Sequence, residues 1–151
     1  MTRKLAAIAL LLGCWTGLAT SAVRAADRPY AILLDGRPLS DNPKDSGGLF
    51  HDGVVFIDAV KATKAFSGLL TFANAGRTVR ISIAQRTAVF TKGRLSARLD
   101  AGSLKLSGAP FIYNGDLYVP LTAVAKLARS TASIDRASAT ARLTTPGGFG
   151  H

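Results

Sequence analysis

The chain has 151 residues, of which 48% are hydrophobic, and its 19 Lys and Arg against nine acidic residues give a formal net charge of +10. This length predicts one domain with a real hydrophobic core. The excess of cations is explained equally well by steering towards anionic polymers or membrane surfaces and by the ordinary solubility of a small domain. All nine acidic residues are Asp, so the composition excludes any catalytic site that is built on Glu.

Residues 1–25 have the three parts of a secretory signal peptide. Arg3 and Lys4 form its positive start, residues 5–13 form a short apolar run, and Val23-Arg24-Ala25 is an acceptable cleavage site. Cleavage after Ala25 would leave a mature chain with a charge of +7, because Arg3, Lys4 and Arg24 leave with the signal. The apolar run is too short for a stable membrane span. We therefore expect an exported protein, periplasmic or extracellular, whose mature chain has no transmembrane segment.

A second interpretation of the same segment stays open. Leu11-Leu12-Gly13-Cys14 resembles a bacterial lipoprotein box, in which Cys14 would carry a lipid anchor after cleavage. The apolar run before this box is short, and residues 15–26 continue as a signal peptide does rather than as a polar tether. Cleavage near Ala25 is therefore our main expectation. It would remove the only cysteine of the chain, and with it any disulfide or thiol chemistry.

The first half of the mature chain predicts four strands and one helix. Short runs of β-forming residues between turn signals place the strands at residues 30–34, 54–57, 69–72 and 78–83. Residues 41–48 are rich in Asp, Asn, Pro, Ser and Gly, and this composition predicts a loop. Asp58 can cap a helix through its carboxylate, and Gly68 is a natural stop for that helix.

The second half follows a similar order. Its strands are predicted at residues 87–91, 94–99, 104–106, 117–119 and 139–143. Asn114-Gly115 predicts a tight hairpin turn, and Pro120 can occupy the first turn of a helix over residues 122–129. The Gly-rich end, residues 145–151, is expected to be a disordered tail.

A shift of 62 residues superposes the two halves. Gly53 then falls on Gly115, and Thr78-Val79-Arg80-Ile81 falls on Thr140-Ala141-Arg142-Leu143. The helices fit after a local slip of two residues, which places Asp58 on Thr122. Such self-similarity predicts an internal duplication, with repeats at about residues 30–83 and 87–144 inside one domain that spans residues 26–144. The expected fold is α+β, with two tandem repeats of twisted antiparallel β-sheet, each packed on one short helix.

The run Tyr113-Asn114-Gly115-Asp116-Leu117-Tyr118-Val119-Pro120-Leu121 resembles the central motif of the copper amine oxidase N-terminal-like domain family, also called the stalk domain. Residues 124–128 are similar to the helix of that family, and Ile134-Asp135 to the turn that follows it. Asp35-Gly36-Arg37-Pro38-Leu39 is similar to the opening of its first unit. The resemblance covers most of residues 30–144. It implies an exported, non-catalytic attachment or interaction module, without copper and without oxidase activity.

The sequence departs from the family pattern at positions that matter for function. Thr122 stands where the family usually has Arg, and Asp58 stands there in the first unit. Ile134 and Phe72 replace the usual Trp. Any role of the missing Arg therefore cannot be carried over, and the resemblance supplies no site residues.

No combination of residues predicts catalysis or metal binding. His51 lies in a predicted turn and His151 at the end of the tail, and two isolated His do not make a closed metal site. Gly-x-Ser-x-Gly and Walker patterns are absent. The Asp side chains that could act in pairs lie in turn settings, where Asp forms local hydrogen bonds: Asp35, Asp52, Asp116 and Asp135. We expect no catalytic residues, no metal, no cofactor and no enzymatic activity.

The strongest positive signal is basic. Residues 77–105 contain seven Lys or Arg. Strand alternation places Arg94 and Arg98 on one sheet face, and Arg80 and Arg142 hold equivalent positions in the two repeats. These four residues, Arg80, Arg94, Arg98 and Arg142, could form a strip that binds an anion or a partner. The alternative is a solvated sheet face on which the Arg stems cover apolar surface.

These observations favour a non-catalytic, exported module that engages an anionic polymer of the cell envelope or a partner protein. Nucleic acid is excluded as the expected partner, because the chain is exported and lacks recognisable readout elements. Two other classes stay open. The chain could be an accessory or inhibitor subunit that docks on a periplasmic enzyme, or an enzyme in its own right.

Overall fold

The computed structural model describes residues 27–42 and 44–147. The predicted signal peptide and lipoprotein box fall on residues 1–26, outside the described part of the chain. His151 and the end of the predicted tail fall on residues 148–151, which also lie outside it.

Thirteen strands and two helices are formed by the described residues. The strands are β1 (Arg28–Leu34), β2 (Arg37–Pro38), β3 (Gly47–His51), β4 (Val54–Asp58), β5 (Leu69–Ala73), β6 (Thr78–Ile83), β7 (Arg86–Thr91), β8 (Ser96–Leu99), β9 (Gly102–Lys105), β10 (Phe111–Tyr113), β11 (Asp116–Pro120), β12 (Thr131–Asp135) and β13 (Thr140–Thr144). The helices are α1 (Ala59–Ala65), between β4 and β5, and α2 (Leu121–Leu127), between β11 and β12.

The larger sheet has eight strands. Seven follow the order β10-β11-β4-β3-β1-β13-β12, and β2 pairs with β1 outside this path. β1 and β13 run parallel, with Ala31 opposite Thr140 and Leu34 opposite Leu143. The other pairs of this sheet are antiparallel. The first and last described strands therefore lie side by side inside the sheet, which ties the two ends of the domain together.

The smaller sheet has five strands in the order β5-β6-β7-β8-β9. Each strand pairs antiparallel with the next one along the chain. Such a meander needs only short turns, and these turns use left-handed backbone at Asn74 (φ 53°), Gln85 (φ 68°) and Asp100 (φ 51°). The smaller sheet is thus a locally connected unit inserted between the two parts of the larger sheet.

Both sheets and both helices share one hydrophobic core. α1 contacts β4 and β11 of the larger sheet and β5 and β6 of the smaller one, and α2 contacts β4, β11 and β12 as well as β7. Five of the seven α2 residues are buried: Leu121, Ala123, Val124, Ala125 and Leu127. A helix that is apolar on nearly every side must be covered on nearly every side, and here the two sheets cover it.

The fold is mostly β-sheet with two short helices, in keeping with the predicted α+β class. The fold does not confirm the predicted tandem repeats, in which each repeat would have its own sheet packed on one helix. β4 and β11, which the predicted repeats assign to different units, pair directly, with Val119 opposite Ile57. β5 and β6 lie in the smaller sheet, whereas β12 and β13 lie in the larger one. β4 and β11 are buried on nearly all positions of both faces, and this burial suits strands in the interior of a covered sheet.

Two local predictions are wrong. α1 and α2 begin at Ala59 and Leu121, 62 residues apart and without the predicted slip, so Asp58 corresponds to Pro120 and not to Thr122. The predicted loop over residues 41–48 ends too late, since β3 begins at Gly47 and buries Gly48. Packing explains the second difference. A Cβ on Gly48 would lie 2.5 Å from Ile32 Cδ1, so only glycine fits at this position of the strand. Composition alone cannot distinguish a glycine that a close contact requires from a glycine in a loop.

Candidate functional site

The outer face of the smaller sheet carries three of the four predicted site residues. Along β6, β7 and β8 the inward side chains are buried, and the outward ones are polar or only partly buried. The buried set consists of Val79, Ile81, Ile83, Ala88, Phe90 and Ala97. Arg80 on β6 and Arg98 on β8 alternate with this set, so strand periodicity directs both away from the core.

The strand register aligns these two arginines in one row. Thr71 lies opposite Arg80, Arg80 opposite Val89, Val89 opposite Arg98, and Arg98 opposite Ser103. We call these five residues, one from each strand, the cationic row. Since neighbouring strands lie about 4.8 Å apart, the Arg80 and Arg98 backbones are roughly 10 Å apart and the row spans roughly 19 Å.

Arg94 adds a third charge beside the cationic row. It precedes β8, its backbone N–H donates to the Thr91 carbonyl at 3.1 Å, and its side chain is exposed. Arg94 and Arg98 both line a shallow depression, together with Val89, Thr91 and Ser103. The two side chains thus border the same depression, but Arg94 lies in the turn region before β8 and not, as the alternation predicted, on a strand.

This face is almost free of acidic groups. No Asp occurs between Asp58 and Asp100. The Asp100 carboxylate accepts the Thr87 backbone N–H at 2.9 Å and the Arg86 Nε–H at 3.1 Å. The Thr87 N–H and then the Arg86 guanidinium hold the pKa of Asp100 below its usual value, so Asp100 stays charged and engaged at the end of the sheet. Among the described residues, Arg80, Arg94 and Arg98 take part in none of the salt bridges.

Arg142 lies apart from the other three. It is on β13 of the larger sheet, opposite Ser133 on β12 and Leu33 on β1. Its neighbours Ala141 and Leu143 belong to the core, so Arg142 points outward from the larger sheet. Because the inner faces of both sheets enclose the same core, the outer face that carries Arg142 is a different surface from the one that carries the cationic row.

His51 belongs to an aromatic group on the larger sheet. Its Nδ1 lies 2.7 Å from Asp27 Oδ1, its Nε2 lies 3.3 Å from Asp52 Oδ2, and its ring centre is 4.3 Å from that of Phe111. Phe111 in turn stacks on Tyr118 and meets Phe56 edge to face. In the described part of the chain, no group of three or more His, Cys, Asp or Glu side chains is arranged to hold a metal ion. The aromatic group around His51 and Phe111 covers the outer face of β3, β4, β10 and β11.

Thr122, which replaces the usual Arg of the family pattern, lines a cleft of about 560 Å³. Ser107, Asp135 and Arg136 also line it, and the Ser107 and Thr122 hydroxyl oxygens are 3.4 Å apart. The Arg136 guanidinium lies 5.8 Å from the ring centre of Phe50, where it contributes to packing. The Asp135 carboxylate accepts the backbone N–H of Ala137 at 3.0 Å and of Ser138 at 3.3 Å, so it stabilises the turn between β12 and β13.

A polar cluster that sequence reasoning missed connects α1 to the loop before β3. Lys61 Nζ binds Asp45 Oδ2 directly and lies 3.5 Å from Asp58 Oδ2. Burial acts to lower the pKa of Lys61, but the hydrogen bond with Asp45 and the charge of Asp58 outweigh burial and raise it. Burial raises the pKa of Asp58, and burial together with the Asp58 charge raises the pKa of Tyr118. Lys61 and Asp45 are 16 positions apart and separated by a loop, so no periodic pattern in the sequence predicts their contact.

Asp58 caps α1, as its sequence position predicts. Its Oδ1 accepts the backbone N–H of Val60 at 2.9 Å and of Lys61 at 3.3 Å. We expect Asp58→Ala to lower the free energy of unfolding by about 1–2 kcal/mol, because two N–H groups lose their acceptor in a buried place. Urea denaturation followed by circular dichroism measures this change.

Asp58→Asn is the matched control, because Asn caps as well as Asp and carries no charge. Since the pKa of Asp58 is raised in the folded protein, the folded state holds the proton more tightly than the unfolded chain does. Compared with Asp58→Asn, the wild-type protein should therefore gain stability as the pH falls through that raised pKa. An unchanged difference between the two proteins across this range would contradict the assignment.

Comparison with known proteins places the chain in a family. The family model named Copper amine oxidase N-terminal domain matches residues 35–143. None of the curated proteins and none of the solved structures matches the chain. Within the described residues, no helix has the length and apolar character needed to cross a membrane. In copper amine oxidases this N-terminal domain is a non-catalytic accessory domain. The match covers most of the sequence, and the chain belongs to the copper amine oxidase N-terminal domain family.

Proposed function

We propose that this protein is a non-catalytic binding module of the cell envelope that engages an anionic polymer through the outer face of its smaller sheet. The cationic row carries the proposal. Arg80 and Arg98 lie in one line across the sheet, Arg94 lies beside them, and none of the three forms a salt bridge with the described residues. The proposal includes export through the predicted signal peptide, which N-terminal sequencing of the cellular protein would test.

The spacing of the charges favours a polymer over a single small anion. The backbones of Arg80 and Arg98 are roughly 10 Å apart, and two like charges at such a distance in water repel by only about 0.4 kcal/mol, so the fold tolerates the arrangement without a bound ligand. The other three residues of the row are small, which leaves it open to an extended chain: Thr71 and Ser103 at its ends and Val89 between the two arginines. Each Arg beside an anionic surface contributes about 1 kcal/mol of binding free energy, so the row gains by engaging several charges along one polymer.

The test is binding of the purified protein to isolated cell wall and to long-chain polyphosphate, measured by co-sedimentation at increasing salt. The double variant Arg80→Gln/Arg98→Gln should bind about 30-fold more weakly, since two contacts of about 1 kcal/mol each are lost. Wild-type binding should weaken steadily as salt rises, because screening and counterion release both oppose it.

Arg142→Gln and Lys126→Gln provide the matched control when they are combined. The pair removes the same total charge from exposed residues outside the smaller sheet. We expect this control variant to bind nearly as well as the wild type. Equal losses in both double variants would mean that net charge and not the cationic row governs binding, and the proposal would then fail.

A second candidate function is that of an accessory or inhibitor subunit that docks on a periplasmic enzyme. The exposed apolar side chains of Ile112 and Tyr113 on edge strand β10 favour it, since such residues are common at protein interfaces. A stoichiometric complex with one envelope enzyme, together with a change in the activity of that enzyme, would support this function over polymer binding.

We further propose that the two halves of the chain descend from a duplication. β4, α1 and β5 recur as β11, α2 and β12 at a constant offset of 62 residues. The backbone repeats with them, since Ser67 and Arg129 both have φ of 54° just after the helices. An alignment of the family tests this proposal. If relatives lack the correspondence between the two halves, the alignment would argue against a duplication.

A further inference from the structure

The smaller sheet ends in a strand whose outer edge has no neighbour among the described residues. β5 pairs with β6 on one side only. Leu69 is 76% exposed and Phe72 is 46% exposed, although both are large and apolar. Thr71 and Ala73 are exposed as well. An edge of this kind presents unpaired backbone N–H and C=O groups in the geometry that a further strand requires.

Three other strands at the ends of the two sheets have features that discourage pairing. β9 contains Gly102 and Lys105, and β12 contains Asp135. β10 has only three residues. β5 is five residues long and contains no charged residue, no Pro and no Gly. Short length, charge and Pro are the usual protections of a sheet edge, and β5 has none of them.

The surroundings of β5 are cationic. Lys64 near the end of α1, Arg77 in the turn after β5 and Arg80 opposite Thr71 are all exposed. No acidic residue occurs between Asp58 and Asp100, the segment that contains α1 and the first four strands of this sheet. A segment that pairs with β5 would thus gain from acidic residues next to its apolar centre and lose from Lys or Arg there.

We propose that β5 is a docking edge for an extended segment of another protein, with apolar residues at its centre and acidic residues at its ends. The segment joins the smaller sheet as a sixth strand. Its backbone pairs with Leu69–Ala73, and its apolar side chains cover Leu69 on the outer face of the sheet and Phe72 on the opposite face. A second copy of this chain fits less well, because its own β5 brings the same cations to the contact.

The experiment uses a synthetic peptide with a central Val-Val-Thr-Val-Val segment between two pairs of Asp, which places Val on both faces of the added strand. Its affinity for the purified protein is measured by fluorescence anisotropy at low salt. A peptide with Lys pairs in place of the Asp pairs should bind at least about tenfold more weakly. In strand pairing, only every second backbone N–H of the peptide faces β5. Two further peptides carry N-methyl groups, one on the odd-numbered amides and the other on the even-numbered amides. The peptide whose methyl groups block the paired amides should bind about tenfold more weakly, and the other should bind as the unmodified peptide does.

Two protein variants locate the contact. Leu69→Asp places a repelling charge on β5 and should weaken binding of the acidic peptide by about tenfold or more. Leu95→Asp is the matched control, because Leu95 is also exposed and apolar (61%) but lies outside β5. It adds the same charge to the protein and should change the affinity by no more than about twofold. Circular dichroism checks that both variants are folded.

Hydrogen exchange identifies the edge directly. The acidic peptide should slow amide exchange within residues 69–73 and leave β10 and β12 unchanged. Protection at β10 or β12, or equal binding of the unmodified peptide and both N-methylated ones, would overturn the proposal. Concentration-dependent dimers that Leu69→Asp abolishes would identify a second copy as the occupant, and would also overturn it.

Discussion

Leu127→Ala should lower the free energy of unfolding by about 2–5 kcal/mol, which is a large part of the stability of a domain of this size. Leu127 is fully buried in α2, and α2 packs against strands of both sheets. Truncation therefore removes contacts with both sheets at once and leaves a cavity that strands on either side cannot easily close. Urea denaturation followed by far-ultraviolet circular dichroism gives the size of the loss.

The same experiment distinguishes one core from two. Because both sheets and both helices share a core, wild type and Leu127→Ala should each unfold in one transition that coincides for far-ultraviolet signal and Tyr fluorescence. A variant with one transition at the wild-type position and a second at lower urea would instead indicate two independent units. Thr122→Ala, an exposed change in the same helix, is the control and should stay within about 0.5 kcal/mol of wild type.

Gly48→Ala should lower the free energy of unfolding by about 2–3 kcal/mol, although it adds a single methyl group. The new Cβ would lie 2.5 Å from Ile32 Cδ1 and 2.7 Å from the Tyr30 carbonyl oxygen. Ile32 could change rotamer, but the Tyr30 carbonyl belongs to the backbone of β1 opposite Gly48 and can move only with the strand. The larger sheet would therefore have to deform where β1 meets β3. The same urea titration measures the effect.

A double-mutant cycle with Ile32→Ala tests this explanation. If the Ile32 side chain causes the clash, Ile32→Ala/Gly48→Ala should cost clearly less than the sum of the two single variants. Gly36→Ala is the control for backbone conformation, since Gly36 has a φ of +82° and nothing within 4 Å of its Cβ position. It should cost about 1 kcal/mol from strain alone. Additive costs in the cycle would show that Ile32 has no part in the effect.

Much of the local structure could be predicted from the sequence. The strand at residues 78–83 appears with the predicted bounds, and alternation correctly separated its buried Val79 and Ile81 from its exposed Arg80. Asp58 caps α1 as expected, and Asn114-Gly115 forms the turn between β10 and β11 with positive φ at both residues. These features depend on neighbours within a few positions, and periodicity and turn chemistry report on such neighbours.

The candidate site could be predicted only in part. Sequence alternation indicated that Arg80 and Arg98 face outward, but it could not show that they share a row, because that depends on the register of three strands. The 62-residue shift makes Arg142 the equivalent of Arg80 and so predicts a shared surface. Equivalent positions in two halves need not share a surface, and here β6 and β13 belong to different sheets. The Lys61–Asp45 contact likewise depends on how a loop folds back onto a helix.

The sequence by itself determined the family, the mostly β character, the strand faces and the positions of both helices. All of these follow from short-range patterns or from a motif that can be read in one stretch, Val119-Pro120-Leu121. Only the tertiary structure decided which strands pair, because pairing is chosen by burial of whole faces and not by local preference. β4 and β11 are buried on both sides and lie together inside the larger sheet, whereas β5 and β12 lie at sheet edges. That choice gathers both helices into one core, separates Arg142 from the cationic row and leaves the edge of β5 open.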